Sequence, residues 1–223
     1  MGFARINLLC SAYSEIAIEN YFLAKERIEQ IKREQDYSYG IEYYDDAVHP
    51  TFITCVFAIM AIESYLNDYA AKNLGDEEFY DNFDKLSLLS KFQLISKFIL
   101  RTDVDKSQSY YGNLKTAEKM RNEFVHNKSR DLSKWLNGTG FFVDNDLDES
   151  EFDEEYELNK LIHGFNDNLK KAKTAIESMR DIAYFFENND KNCCAFLLLF
   201  PQLMIIPKSP SSEEIKKEFS IKI

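Results

Sequence analysis

Apolar residues recur along this chain at the mixed three- and four-residue steps of an amphipathic helix, rather than at the alternating steps of a strand. Residues 5–35 lack glycine and proline, and Ile6, Leu9, Tyr13, Ile16, Phe22, Ile28 and Ile31 follow the helical rule, so one long helix is predicted there. Gly40 and Pro50 bracket a predicted loop. Pro50-Thr51 then opens a second helix that runs to Leu74, with Gly75 as its stop. After a short acidic link the pattern predicts a third helix from Lys85 to Arg101 and a fourth from Tyr110 to Asn127. Residues 133–157 carry Asn137-Gly138-Thr139-Gly140 and a dense run of acids, which reads as a loop excursion. A fifth helix is predicted over 158–187, and 188–223 reads as an apolar segment followed by a charged tail.

The expected fold class is therefore all-α: one helical bundle of about five long helices. The expected domain is single, 1–223, with its core in about 5–187. Composition agrees. Only 7 glycines and 4 prolines punctuate 223 residues, too few for many short strands and tight turns. A hydrophobic content of 45%, with 18 Phe and 13 Tyr, excludes a globally disordered chain.

Cys10, Cys55, Cys193 and Cys194 show neither CxxC nor Cys/His ligand spacing, so they are expected to be reduced thiols, with no metal and no cofactor. Gly2 lacks the Ser or Thr at position 6 that a myristoylation signal carries. The longest apolar run, Cys193 to Ile206, is too short to span a bilayer and is broken by Pro201-Gln202. The expectation is a soluble, cytoplasmic protein without a membrane partner.

Charge first argues against a polyanionic ligand, because 38 acids oppose 27 basic residues for a net −11. Its distribution changes that. Nine acids lie in residues 142–158 with no Lys or Arg, which leaves 29 acids against 27 bases elsewhere. Within the tract, Asp144, Asp146, Asp148 and Glu155 match the oxygen-ligand spacing of a calcium loop, but Glu149 stands where the sharp turn needs glycine and Glu151 where an apolar residue belongs. A solvated acidic loop, able to repel a polyanion from other surfaces or to cover a basic cleft, is the leading reading of the tract. A calcium-responsive interaction protein is the lesser one.

The chemistry concentrates in residues 115–130, which hold Lys115, Lys119, Arg121, Lys128 and Arg130 against two acids, with His126 among them. At about 100° per residue, Leu114, Ala117, Met120, Phe124 and Val125 share one helical face, and Arg121 lies within roughly 30° of its centre. A guanidinium on an apolar stripe is costly unless it is paired or faces an interface. Lys115, Lys119, Asn122 and His126 fall within about 60° of one another on a second stripe, a line of cations, amide and imidazole suited to a phosphodiester backbone. Tyr110-Tyr111 beside it offers rings on which bases stack. His49 and His163 have no recognisable partner in the sequence.

Arg121-Asn122-x-x-x-His126 resembles the Arg-x4-6-His motif of the HEPN superfamily, in which a polar residue, often Asn, follows the arginine. The helix Ile59-Met60-Ala61-Ile62-Glu63-Ser64-Tyr65-Leu66-Asn67 is similar to the Glu- and Asn-bearing helix of many bacterial members. The resemblance covers about residues 5–187. It implies a metal-independent endoribonuclease of toxin–antitoxin or antiphage type, acting as a homodimer whose two motifs meet in a composite cleft. By the same resemblance Arg121 stabilises the phosphorane, His126 acts as general base or acid, and Asn122 positions one of them or the RNA. Cleavage by the ribose 2′-hydroxyl leaves a 2′,3′-cyclic phosphate and a 5′-hydroxyl. Glu63 is a candidate partner for Arg121, and Asn67, Lys115, Lys119 and Lys128 are candidate supporting or RNA-binding residues.

Proton transfer argues for the dimer separately. In-line cleavage needs a base and an acid, and each chain supplies one histidine in this segment, so twofold apposition supplies two. One departure matters: Lys128 stands where the branch of toxins neutralised by nucleotide transfer carries a tyrosine. An antitoxin or defence-system protein of another kind is then the expected partner. The alternative is a catalytically silent HEPN module that binds RNA, a nucleotide or a protein, with Arg121 as a salt-bridged core arginine.

Overall fold

The computed structural model describes residues 8–125, 153–203 and 210–222. Their helices are α1 (Leu8–Glu34), α2 (Tyr37–Glu42), α3 (Tyr44–Leu74), α4 (Asp76–Asn82), α5 (Leu88–Phe98), α6 (Ser109–Val125), α7 (Glu154–Asn189), α8 (Ala195–Leu199) and α9 (Ser212–Glu218), with a 3-10 turn at Pro201–Leu203. Among the described residues there is no strand, so the architecture is all-α. Where the sequence predicts about five long helices, the described residues form nine, four of them of seven residues or fewer.

α3 is the central element and packs against α1, α5, α6 and α7. Among the described helices it alone is long and apolar enough to cross a membrane, yet more than half of its most apolar window is buried within the chain. That burial is what a core helix shows. α1 packs closely on it, and the buried side of α1 is Cys10, Ser14, Ala17, Ile18, Tyr21, Ala24, Ile28 and Ile31. This buried stripe is rotated from the one read off the large apolar residues, and Leu9 is exposed. The cause is close approach. Small residues on both helices bring the backbones together, so that the Thr54 hydroxyl donates to the Ala17 carbonyl at 3.1 Å while also reaching Pro50 O at 2.8 Å.

The loop expected between Gly40 and Pro50 is helical instead, and α3 begins six residues before its proline. Pro50 removes one ladder donor at a cost of about 3 kcal/mol. Against that cost, Ala47 and Val48 pack in a second core cluster with Ile28, Ile31, Leu161 and Phe165, and two buried apolar side chains offset a loss of that size. Gly40 serves a close contact rather than a turn. A Cβ there would stand 2.7 Å from Leu161 Cδ2. Gly75, by contrast, ends α3 with φ +92°, as expected of a glycine stop.

Of the described end of the predicted acidic loop, residues 154–157 are also helix, with Asp153 as the N-cap. The Asp153 carboxylate accepts from the Glu155 and Tyr156 amides at the N-terminus of α7, and Glu154, Glu155 and Glu157 occupy its first turn. Acids there match the positive end of the helix dipole. Residues 144–152, the rest of the candidate calcium loop, lie outside the described residues. Among those that are described, no group of three or more His, Cys, Asp or Glu converges to hold a metal.

The C-terminal segment belongs to the core and is not an appended tail. Phe196, Leu199, Phe200, Ile215, Phe219 and Ile221 are buried in the main cluster. The Ser14 hydroxyl donates to Leu199 O at 2.5 Å. Glu218 accepts from the Tyr21 hydroxyl at 2.7 Å, from Lys173 at 3.0 Å and from Lys25. Burial alone would raise its carboxyl pKa, but these donors lower it from 4.5 to about 2. A depressed carboxyl stabilises the fold above its unfolded pKa and loses that contribution as pH falls toward the folded value. Glu218→Gln should therefore lower the unfolding free energy at pH 7 by at most about 3 kcal/mol, reduced by solvent screening at the half-exposed lysines. Urea titrations should show the gap to wild type closing as pH falls from about 4.5 toward 2.

Candidate functional site

α6 shows the two stripes that its sequence predicts. Leu114, Ala117 and Met120 are buried against the core, while Lys115, Lys119 and Asn122 are exposed. The side chains of Phe124 and Val125 are not among those described. Two hydrogen bonds set α6 against α5. Glu118 accepts from the Leu88 amide at 3.0 Å in the first turn of α5, and Gln93 donates to the Tyr111 hydroxyl at 2.9 Å. Tyr110, one of two expected stacking residues, packs on Phe92 and Phe185, and its hydroxyl accepts from the Asp105 amide. It is mostly committed to the core, because its ring meets apolar neighbours on two helices. Tyr111 carries Lys106 over its ring at 5.9 Å.

Arg121 sits at the junction of α3, α5 and α6. Its Nη2 donates to Glu63 Oε2 at 2.7 Å and its Nη1 to Asn122 Oδ1 at 2.9 Å. The pairing with Glu63, a candidate partner by sequence, is therefore present. The Arg121 side chain is 21% exposed and that of Glu63 is 27% exposed. A guanidinium has five N–H donors, and two of these contacts leave it capacity to bind an oxyanion while it is held in place. The other Glu63 oxygen, Oε1, accepts from Lys91 at 3.2 Å. Lys91 is only 2% exposed and is the one charged side chain that is buried among the described residues.

Sequence reasoning missed Lys91, although a signal was there. It lies between Leu88, Phe92 and Ile95 on the buried face of α5, and a lysine on such a face asks for an anionic partner.

Asn67 lies one turn beyond Glu63 on α3 and is not brought to Arg121. Its Oδ1 is buried without a hydrogen-bond partner and lines a groove of about 350 Å³ between α1, α3 and α4. Glu63, Asp68 and Asp84 line the same groove, with Tyr13, Phe79 and Tyr80, and no cation is among its described lining residues. A polyanion is repelled from such a surface, whereas α6 presents the exposed Lys115 and Lys119.

His126 and Lys128 follow the end of α6 and lie outside the described residues. His49 and His163 are exposed and stand 3.6 and 3.5 Å from Asp45 and Asp167 one turn away on their own helices. The cysteines are free thiols. Burial pushes the Cys55 thiol up to about 12 and Cys10 up further, so neither is a ready nucleophile. Comparisons with protein-family models, with curated proteins and with solved structures give no match to this chain.

Proposed function

We propose that this chain is a HEPN-type endoribonuclease that cleaves RNA as a cytoplasmic homodimer, within a toxin–antitoxin or antiphage system that includes a partner protein. One observation carries the reading. Arg121, which the motif marks as the phosphate-binding residue, is fixed by Glu63 and Asn122 and still has N–H groups to donate. An arginine needed only to neutralise Glu63 would be superfluous, because Lys91 already does so.

In the proposed reaction the ribose 2′-oxygen attacks phosphorus and gives its proton to one His126 imidazole. The bond from phosphorus to the 5′-oxygen breaks, and the leaving oxygen takes a proton from the second copy's imidazole. Arg121 donates to the nonbridging oxygens as negative charge builds on them. Asn122, bonded to Arg121, holds the plane of the guanidinium, and the exposed Lys115 and Lys119 attract the flanking phosphates.

Incubation of the wild type with RNA in EDTA should give fragments ending in 2′,3′-cyclic phosphate and 5′-hydroxyl, and His126→Ala should cut the rate about 10²–10⁴-fold. Equal cleavage by both proteins, or none by folded dimeric wild type, would refute the nuclease and leave the silent RNA-, nucleotide- or protein-binding module.

A further inference from the structure

Lys91 does more here than fill a place in the core. Its ammonium and the Arg121 guanidinium approach opposite oxygens of one carboxylate, at 3.2 and 2.7 Å from Glu63. Two cations on one anion leave the cluster with a net positive charge. Without Lys91, the pair Arg121–Glu63 would be neutral, and the carboxylate that orients the guanidinium would also cancel the potential that draws a phosphodiester toward it. A buried lysine is also a poor choice for stability alone, since an apolar residue of similar volume commonly does as well or better. α5 is well placed to carry it, tied to α6 through Leu88–Glu118 and Gln93–Tyr111.

We infer that Lys91 is a charge-compensating positioning residue for Arg121: it offsets Glu63, so that Glu63 can orient the guanidinium without neutralising it, and the three together form a phosphodiester receptor. The inference rests on the proposed RNA reading. Lys91 touches no RNA; it acts through Glu63 on Arg121.

The test uses the full-length protein and a single-stranded RNA with 2′-O-methyl riboses, which binds but cannot be cut. Its affinity is measured across a salt series for wild type, Arg121→Ala, Lys91→Met and Lys91→Gln. Gln keeps a donor for Glu63 but not the charge. Each cation that acts on the backbone of a single strand adds about 0.7 to the slope of log K against log salt. Arg121→Ala should therefore flatten the slope by about 0.7. Lys91→Met and Lys91→Gln should weaken binding and flatten the slope to a similar degree, with melting temperatures at or above that of wild type. A Lys91→Gln protein with wild-type slope and affinity would overturn the charge argument. So would Lys91 variants whose binding falls only in step with their melting temperature, the mark of a core fixture. An unchanged slope in Arg121→Ala would instead remove the RNA reading itself, so the two failures are distinguishable.

Discussion

Glu63→Ala should lower the unfolding free energy by about 3–5 kcal/mol, the range for leaving one member of a buried ion pair without its partner. The reason lies with Lys91 rather than with Glu63, whose own side chain is partly exposed. Lys91 is 2% exposed, and Glu63 is the partner its ammonium meets. Removing the carboxylate leaves a buried ammonium with neither water nor counter-charge. Lys91→Met acts in the opposite sense. The carboxylate left behind keeps Arg121 and partial contact with solvent, so the substitution should be neutral or mildly stabilising. The double variant should then recover most of the loss, with a coupling of about 2 kcal/mol or more between the two positions. Urea unfolding followed by far-ultraviolet circular dichroism checks all three. Additive effects would show that Lys91 finds another partner when Glu63 is gone.

The helical class was legible because glycine and proline are rare and apolar residues keep a helical period over long runs. What failed were the inferences that treat single residues as punctuation. Gly40 and Pro50 read as loop boundaries, but tertiary packing decides both: Gly40 makes room for Leu161, and Pro50 is carried inside a helix whose first turns are buried beside Ile28 and Ile31. α4 was hidden in what looked like an acidic linker. Asp76, Glu77 and Glu78 fill its first turn, where acids favour a helix, and Phe79 anchors it in the core. The C-terminal segment looked like a charged tail because its buried residues, Ile215, Phe219 and Ile221, are few and interleaved with lysines. No local pattern announces that Glu218 will meet Tyr21, Lys25 and Lys173.

The candidate site was legible in part for the same reason. The Arg121 pairing could be anticipated because a cation on an apolar stripe needs a partner, and Glu63 is an acid in an apolar helix. That the two meet is a matter of how α3 and α6 pack. Glu63 and Asn67 share one helix and line the same groove, but Glu63 meets Arg121 and Lys91 while Asn67 Oδ1 meets no donor, a difference that spacing alone does not show.

In the proposed reaction, Arg121→Ala should reduce the rate of RNA cleavage by about 10²–10³-fold, the usual effect of deleting a preorganised donor to a developing oxyanion. Its effect on folding should be small, about 1 kcal/mol or less, because Glu63 keeps Lys91 as its partner and the lost ion pair is partly exposed to solvent. Arg121→Lys discriminates between charge and geometry. An ammonium restores the charge, but it is a compact point charge, whereas Nη1 and Nη2 of the guanidinium reach Asn122 and Glu63 from a planar fork and leave a further edge for the phosphate. Most of the rate loss should therefore persist in the lysine variant, as a fall in kcat rather than a rise in KM, since the missing contact strengthens only as charge develops on the phosphorane. Single-turnover kinetics at saturating RNA, paired with melting temperatures, measure both quantities. A lysine variant with wild-type kcat would reduce Arg121 to a charge. A loss of rate matched by a loss of stability would reduce it to a structural pair with Glu63. The presence of Lys91 argues against the second outcome, because a carboxylate already neutralised by Lys91 has no structural need of a second cation, and the arginine keeps its charge and the donors that Glu63 and Asn122 do not take.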